Sequence, residues 1–261
     1  MVARKTVLVT RPEGQAGPLC AAVATLGYRP LHVPLLAVSP IQVLDAGQRE
    51  IISSLEQYDH CLFVSSNAAR FGLERLLAER YRWPESVRCY AVGDSTADAL
   101  RARGLAVITP GQEMTSEGLL ALPLLESVSG QRVLIVKGEG GRTALRETLQ
   151  ARGAQVDELR CYRRSAPPND PQLLPRLRDE RIDYLLISSG EALENLMALL
   201  AAGESEAADW HPCTLVVPSQ RVAEQAQRAG WRDVALAVNA SDEAMLAALR
   251  SRAVTAGEAG V

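Results

Sequence analysis

CLFVSSNAARFGLERL (residues 61–76) and LLISSGEALENL (residues 185–196) share one shape. Each begins with a short apolar run, passes through three small residues, and continues with apolar residues at helical spacing. An apolar run of four or five residues suits a strand buried on both faces, as in a parallel sheet. Small hydroxyl and amide side chains are favoured where a helix starts, because they accept hydrogen bonds from its free N–H groups. Ser65-Ser66-Asn67 and Ser188-Ser189-Gly190 therefore read as the turns of strand–turn–helix units.

The same rhythm extends through the chain. TVLVT (6–10), CYAV (89–92), RVLIV (132–136) and TLVV (214–217) each precede a segment with helical periodicity. Alternating strands and helices predict an α/β protein with doubly wound parallel sheets and right-handed crossovers. Segments also pair with one another. Val7 aligns with Val133, Ser65 with Ser188 and Gly104 with Gly230, at nearly equal offsets and in the same order. Such spacing predicts two similar halves. Pro34 and Pro40 bracket LHVPLLAVSPIQV, and LRCYRRSAPPNDP is strand-like and then proline-rich. Prolines favour extended connections, so these segments read as crossings at 34–40 and 161–170. With two crossings, the expected lobes are 1–36 with 169–261, and an inserted 40–161; two simple sequential halves are the alternative.

Composition narrows the function classes. Of 261 residues, 47% are hydrophobic and 23% charged, with a net charge of −3, so no global basic field recruits nucleic acid or an acidic membrane. No apolar run reaches transmembrane length, and MVARKTVLVTRP reads as a first strand rather than a secretory h-region. Five scattered cysteines without a C-x-x-C point to reduced thiols and a cytoplasmic setting. Three isolated histidines show no metal-ligand spacing, and GEGGRT lacks both the third glycine of a dinucleotide fingerprint and the Gly-Lys-Ser/Thr of a P-loop. Neither metal nor cofactor is expected.

In open parallel sheets, ligands bind beyond the carboxyl ends of the strands, where helix N-termini present free N–H groups. The turns at that level contain Ser65, Ser66, Asn67, Gly93, Thr96, Thr115, Ser116, Gly138, Ser188, Ser189, Gly190, Pro218, Ser219 and Gln220. Helix capping alone explains any one of them. Several together describe a site for carboxylates held by hydroxyls and backbone amides, with Arg11, Lys137 and Arg142 as candidate cations. Arg163 and Arg164 could pair with carboxylates too, although surface solvation explains any single one of these cations. Tyr162, within a crossing segment, is either a packing aromatic or a phenol that donates a hydrogen bond in the site. From these features a non-enzymatic bilobal protein binding a small polyanion remains open. A nucleotide-using transferase is disfavoured by the missing phosphate motifs.

The segments VLVTRPEGQAGPL, FVSSNAARF, AVGDSTADALRARG, TSEGLL, VLIVKGEGGRTALRETLQARGAQV, CYRR and VVPSQRVAEQAQRAGW, in this order across nearly the whole chain, resemble the uroporphyrinogen-III synthase family. The resemblance implies two α/β lobes joined by a two-stranded connector, with the active site in the interlobe cleft. It implies a cofactor-free step of tetrapyrrole, hence haem, biosynthesis. The substrate would be hydroxymethylbilane, a linear tetrapyrrole whose carboxylates the strand-end groups would hold. Water is lost, ring D is inverted and the macrocycle closes, whereas uncatalysed closure gives the type I isomer. Tyr162 matches the family tyrosine thought to assist loss of the hydroxyl. The expected enzyme is a monomer making at most a transient contact with hydroxymethylbilane synthase.

Overall fold

The computed structural model describes residues 4–78, 82–141, 143–168, 170, 172–203 and 213–258. In chain order it contains β1 (Thr6–Val9), α1 (Gly17–Thr25), β2 (Arg29–His32), β3 (Ala37–Pro40), α2 (Ala46–Ser53), β4 (His60–Phe63), α3 (Ser66–Leu77), β5 (Arg88–Ala91), α4 (Asp94–Arg101), β6 (Val107–Ile108), α5 (Ser116–Leu120) and α6 (Pro123–Glu126). There follow β7 (Arg132–Gly138), α7 (Ala144–Ala151), β8 (Gln155–Ser165), α8 (Leu173–Asp179), β9 (Ile182–Leu186), α9 (Gly190–Ala202), β10 (Thr214–Val217), α10 (Gln220–Arg228), β11 (Val234–Leu236) and α11 (Asp242–Glu258). The chain divides into two compact units, residues 1–38 with 165–261, and residues 39–164.

The first unit contains a five-stranded sheet in the order β11-β10-β9-β1-β2. All four strand pairs are parallel. Alternate residues of each strand face opposite sides, and two cores result. Val7, Val9 and Leu186 join Leu19, Val23, Met245 and Leu249 from α1 and α11. Leu8, Leu185 and Leu215 join Leu174, Leu196 and Val222 from α8, α9 and α10. Helices therefore cover both faces, which is why the strands carry continuous apolar runs.

The second unit contains a six-stranded sheet in the order β3-β8-β7-β4-β5-β6. The pairs β7–β8, β4–β7, β4–β5 and β5–β6 are parallel. On one face Leu62, Tyr90 and Ile135 pack with Leu119, Leu125 and Leu149. On the other, α3 approaches β7 so closely that a Cβ on Gly72 would lie 2.2 Å from Val136 Cγ1. Beside β8, the Ile41 N–H donates to the Cys161 carbonyl at 3.1 Å.

Reading from the edge, β11, β10, β9, β1 and β2 occupy the positions of β6, β5, β4, β7 and β8 in the other sheet. The sequence repeat follows this correspondence: Val7 lies in β1 and Val133 in β7, while Gly104 and Gly230 end equivalent helices with φ of 81° and 96°. One match shifts. Ser65 caps α3, and the residue capping α9 is Ser189 rather than Ser188, because two residues (Ile187 and Ser188) separate β9 from its cap where only Val64 separates β4 from Ser65. All five cysteines are unpaired. Among the described residues no helix is long and apolar enough to cross a membrane.

Candidate active site

A cavity of about 460 Å³ opens at the carboxyl ends of β4, β5 and β7 in the second unit. Its rim is made by helix starts. Ser65, in extended backbone, accepts the Ala68 N–H at 3.0 Å and caps α3. Thr115 accepts the Gly118 N–H at 3.0 Å and caps α5. Gly93 begins α4 without a side-chain cap, and Met114 Cβ lies 3.4 Å from where its Cβ would stand. The turn after β7 contains Gly140 and Gly141 at φ of 71° and 85°, a conformation that favours glycine. Together these features orient N–H groups and small hydroxyls toward one volume.

Tyr162 occupies the β8 side of this cavity and is 7% exposed. Its hydroxyl hydrogen-bonds to Ser65 Oγ at 3.1 Å, and either oxygen can be the donor. Its carbonyl accepts the Glu139 N–H at 2.8 Å, and its ring lies 6.2 Å from that of Phe71. The ring covers Gly138 so closely that a Cβ there would lie 2.6 Å from Cζ. A register shift between Lys137 and Gly138 pairs Lys137 with Arg160 and Gly138 with Tyr162. Cys161 is the extra residue. It contacts the Ala68 carbonyl of α3 at 3.9 Å, while the adjacent Tyr162 reaches Ser65 and Phe71 of the same helix. Strict alternation would turn two neighbouring side chains to opposite faces. The bulge turns the phenol back toward α3.

Charged groups also line the cavity. Lys137 Nζ lies 3.2 Å from Glu158 Oε1, with both side chains nearly buried, and Arg146 Nη1 lies 3.8 Å from Glu158 Oε2. Glu139 pairs with Arg163 at the exposed edge. The Arg163 hydrogen bond holds the Glu139 carboxyl below its usual range and raises the guanidinium above its own. Arg164 also borders the cavity.

Of the residues expected at the site, Tyr162, Ser65, Thr115, Ser116, Lys137 and Gly138 line this cavity. The space beside Gly138 is taken by the Tyr162 ring. Ser66 is exposed and Asn67 half-buried in the first turn of α3. Thr96 is 2% exposed inside α4, with its N–H donated to the Gly93 carbonyl at 3.1 Å. Arg142 lies outside the described residues.

The remaining expected residues belong to the first unit. Ser189 accepts the Ala192 N–H at 3.1 Å and Ser219 the Val222 N–H at 3.4 Å, capping α9 and α10. Ser188 is half-buried, Pro218 buried and Gln220 exposed. The absent Cβ of Gly190 leaves room for the Arg221 guanidinium, whose Nη2 would lie 3.2 Å from it. Arg11 donates to the Ala240 carbonyl at 2.6 Å and pairs with Asp242 at 2.5 Å.

Sequence reading overlooked Arg146, Glu158, Met114 and Glu117, all of which line the cavity. Arg146 was findable, since it lies in the first turn of a helix that follows a glycine-rich strand end. Glu158 stands one strand over and diagonal to Lys137, a relation visible only after the β7–β8 register is known. Among the described residues, no group of three or more His, Cys, Asp and Glu is placed to hold a metal ion.

A family model described as uroporphyrinogen-III synthase HemD matches residues 18–247. Uroporphyrinogen-III synthase of Escherichia coli (strain K12) is 34% identical over 247 residues, covering 94% of this chain and 100% of that protein. The Salmonella typhimurium enzyme of the same name is 34% identical over 249 residues, with coverage of 94% and 100%. Among solved structures, a mutant uroporphyrinogen III synthase from the extremely thermophilic bacterium Thermus thermophilus superposes with a TM-score of 0.61 at 21% identity, covering 97% of this chain and 99% of that one. The uroporphyrinogen-III synthetase of Helicobacter pylori 26695 gives 0.59 at 17% identity, with coverage of 95% and 99%. The two structural likenesses concern the fold.

Proposed function

The chain belongs to the uroporphyrinogen-III synthase family, and we propose that the cavity around Tyr162 is where it carries out that family's reaction. The activity is a cyclising dehydration in tetrapyrrole biosynthesis, which converts hydroxymethylbilane into uroporphyrinogen III with inversion of ring D. A pyrrole nitrogen pushes electron density toward the carbon bearing the hydroxyl as the C–O bond breaks. Tyr162 donates a hydrogen bond, and then its proton, to the departing oxygen, which leaves as water. Attack by the substituted α-carbon of ring D forms the spiro intermediate, and its rearrangement closes the inverted ring. Loss of the ring proton returns a proton to the phenol, so no net proton is consumed.

The observation that carries this reading is the Tyr162–Ser65 hydrogen bond at 3.1 Å, held at the cavity edge by the ring's seat on Gly138. A phenol fixed on three sides is already oriented, and orientation supplies much of the rate when the chemical step is easy. Ser65 keeps the phenolic oxygen hydrogen-bonded until substrate arrives. Lys137, Arg146 and the N–H groups at the starts of α3 and α5 attract acetate and propionate side chains. The binding-protein alternative is not favoured, because the relatives are named as synthases over their full length.

The enzyme is read as a monomer of the cytoplasm, which suits five unpaired thiols. Because free hydroxymethylbilane cyclises unaided, a transient contact with hydroxymethylbilane synthase would shorten its exposure. Sedimentation of the chain alone and with that synthase tests both statements, and a stable oligomer of the chain alone would refute the first. The function is tested by adding freshly generated hydroxymethylbilane, oxidising the products to porphyrins and separating the isomers. Type III should predominate with the chain present. Type I alone would refute the reading.

A further inference from the structure

Two cations share one carboxylate in the cavity, and they share it unequally. Lys137 Nζ is 3.2 Å from Glu158 Oε1, with side-chain exposures of 10% and 11%. That is a charge-assisted hydrogen bond largely out of water, and separating its partners would strand a buried charge. Arg146 Nη1 is 3.8 Å from Glu158 Oε2, with 35% of its side chain exposed. That distance is an ion pair without a hydrogen bond, and solvent screens it, so it holds the guanidinium weakly.

An inward-facing carboxylate is an odd component for a cavity that receives a polyanion, unless it organises cations. On the reading of this cavity as the substrate site, we propose that Arg146 is a ligand for a substrate carboxylate and that Glu158 parks it. Glu158 keeps Lys137 in place through the short contact. It holds Arg146 near the opening through the long one, and releases it when a substrate carboxylate offers two oxygens to the planar guanidinium fork. Arg146 projects from the first turn of α7, which follows the glycine turn after β7, so the exchange requires a side-chain rotation and no movement of the sheet. Glu158 is thus a positioning residue.

Steady-state kinetics of the full chain with hydroxymethylbilane test the assignment. Arg146→Met keeps the aliphatic stem and removes the fork. It should raise KM about tenfold or more, leave kcat within about twofold, and still yield the type III isomer. Arg146→Lys should recover only part of the loss, since an ammonium cannot bind two oxygens in one plane. Glu158→Gln keeps an acceptor for Lys137 but removes the charge that parks Arg146. It should lower KM in the parent and do so less in the Arg146→Met background, a coupling that a purely structural role would not produce. A parent chain that forms no type III product overturns the reading of the cavity and this assignment with it. With an active parent, an Arg146→Met variant of unchanged melting temperature and KM within about twofold overturns the assignment alone. So does a fall in kcat at constant KM, or an equal Glu158→Gln effect in both backgrounds.

Discussion

Gly138→Ala should disable the enzyme by moving one phenol. The new methyl carbon would stand 2.6 Å from Tyr162 Cζ, 2.7 Å from Cε2 and 3.0 Å from the hydroxyl oxygen. Carbon atoms in comfortable contact lie about 3.5–4.0 Å apart, so the ring must retreat by about 1 Å. Gly138 is not among the positive-φ glycines, so backbone strain adds nothing. The Tyr162–Ser65 hydrogen bond is 3.1 Å long, and a retreat of that size away from Ser65 carries it past hydrogen-bonding range. Overpacking of this kind costs about 1–3 kcal/mol of stability. Misplacing a catalytic group by about 1 Å costs about 10²-fold in turnover. Thermal unfolding reads the first quantity, and kcat with isomer analysis reads the second. In a Tyr162→Phe background the alanine should reduce kcat little further, since the hydroxyl it displaces is already gone. A folded Gly138→Ala enzyme with kcat within about twofold of the parent would refute the argument that the glycine seat positions the phenol.

Tyr162→Phe itself should retain the fold and the type III product while lowering turnover about 10²-fold or more; a switch to mostly type I product at high turnover would mean that the hydroxyl controls ring orientation instead. Ser65→Ala removes the cap of α3 and the partner of Tyr162, so it should cost about 1 kcal/mol of stability and also reduce kcat; a stability loss with unchanged kcat would leave Ser65 as a cap only. His60 is 1% exposed, with Nε2 at 2.7 Å from Gln131 Oε1 and Nδ1 at 2.9 Å from the Tyr90 hydroxyl. Burial lowers its pKa, so the folded state binds its proton less readily than the unfolded chain. Its contribution to stability is complete above the unfolded imidazole value of about 6.5 and declines as pH falls from there toward the lower folded value. Melting temperatures of the parent should therefore drop between about pH 6.5 and 5 more steeply than those of His60→Gln, and equal slopes would remove His60 as the cause.

The local units of this protein are written in neighbouring residues. Apolar runs followed by Ser65, Thr115, Ser189 or Ser219 fold as strand, cap and helix because period and capping act within one or two turns of chain. The repeat is legible for the same reason: equivalent units need the same local signals, and the two sheets place them in the same order. Tertiary structure decided which of those turns meets Tyr162. Ser65 and Tyr162 are 97 positions apart, and their contact depends on β7 alone separating β8 from β4, the strand that leads into Ser65. The direction of Tyr162 depends on a bulge that period-2 reading of β8 misses, because the extra residue appears only against the register of β7. The place of Arg146 beside Glu158, and of a phenol ring where Gly138 has no side chain, follows from the packing of α7, β7 and β8 on one another. Local physics selects the elements, whereas the distances that make a site arise between residues that only the packed sheet brings together.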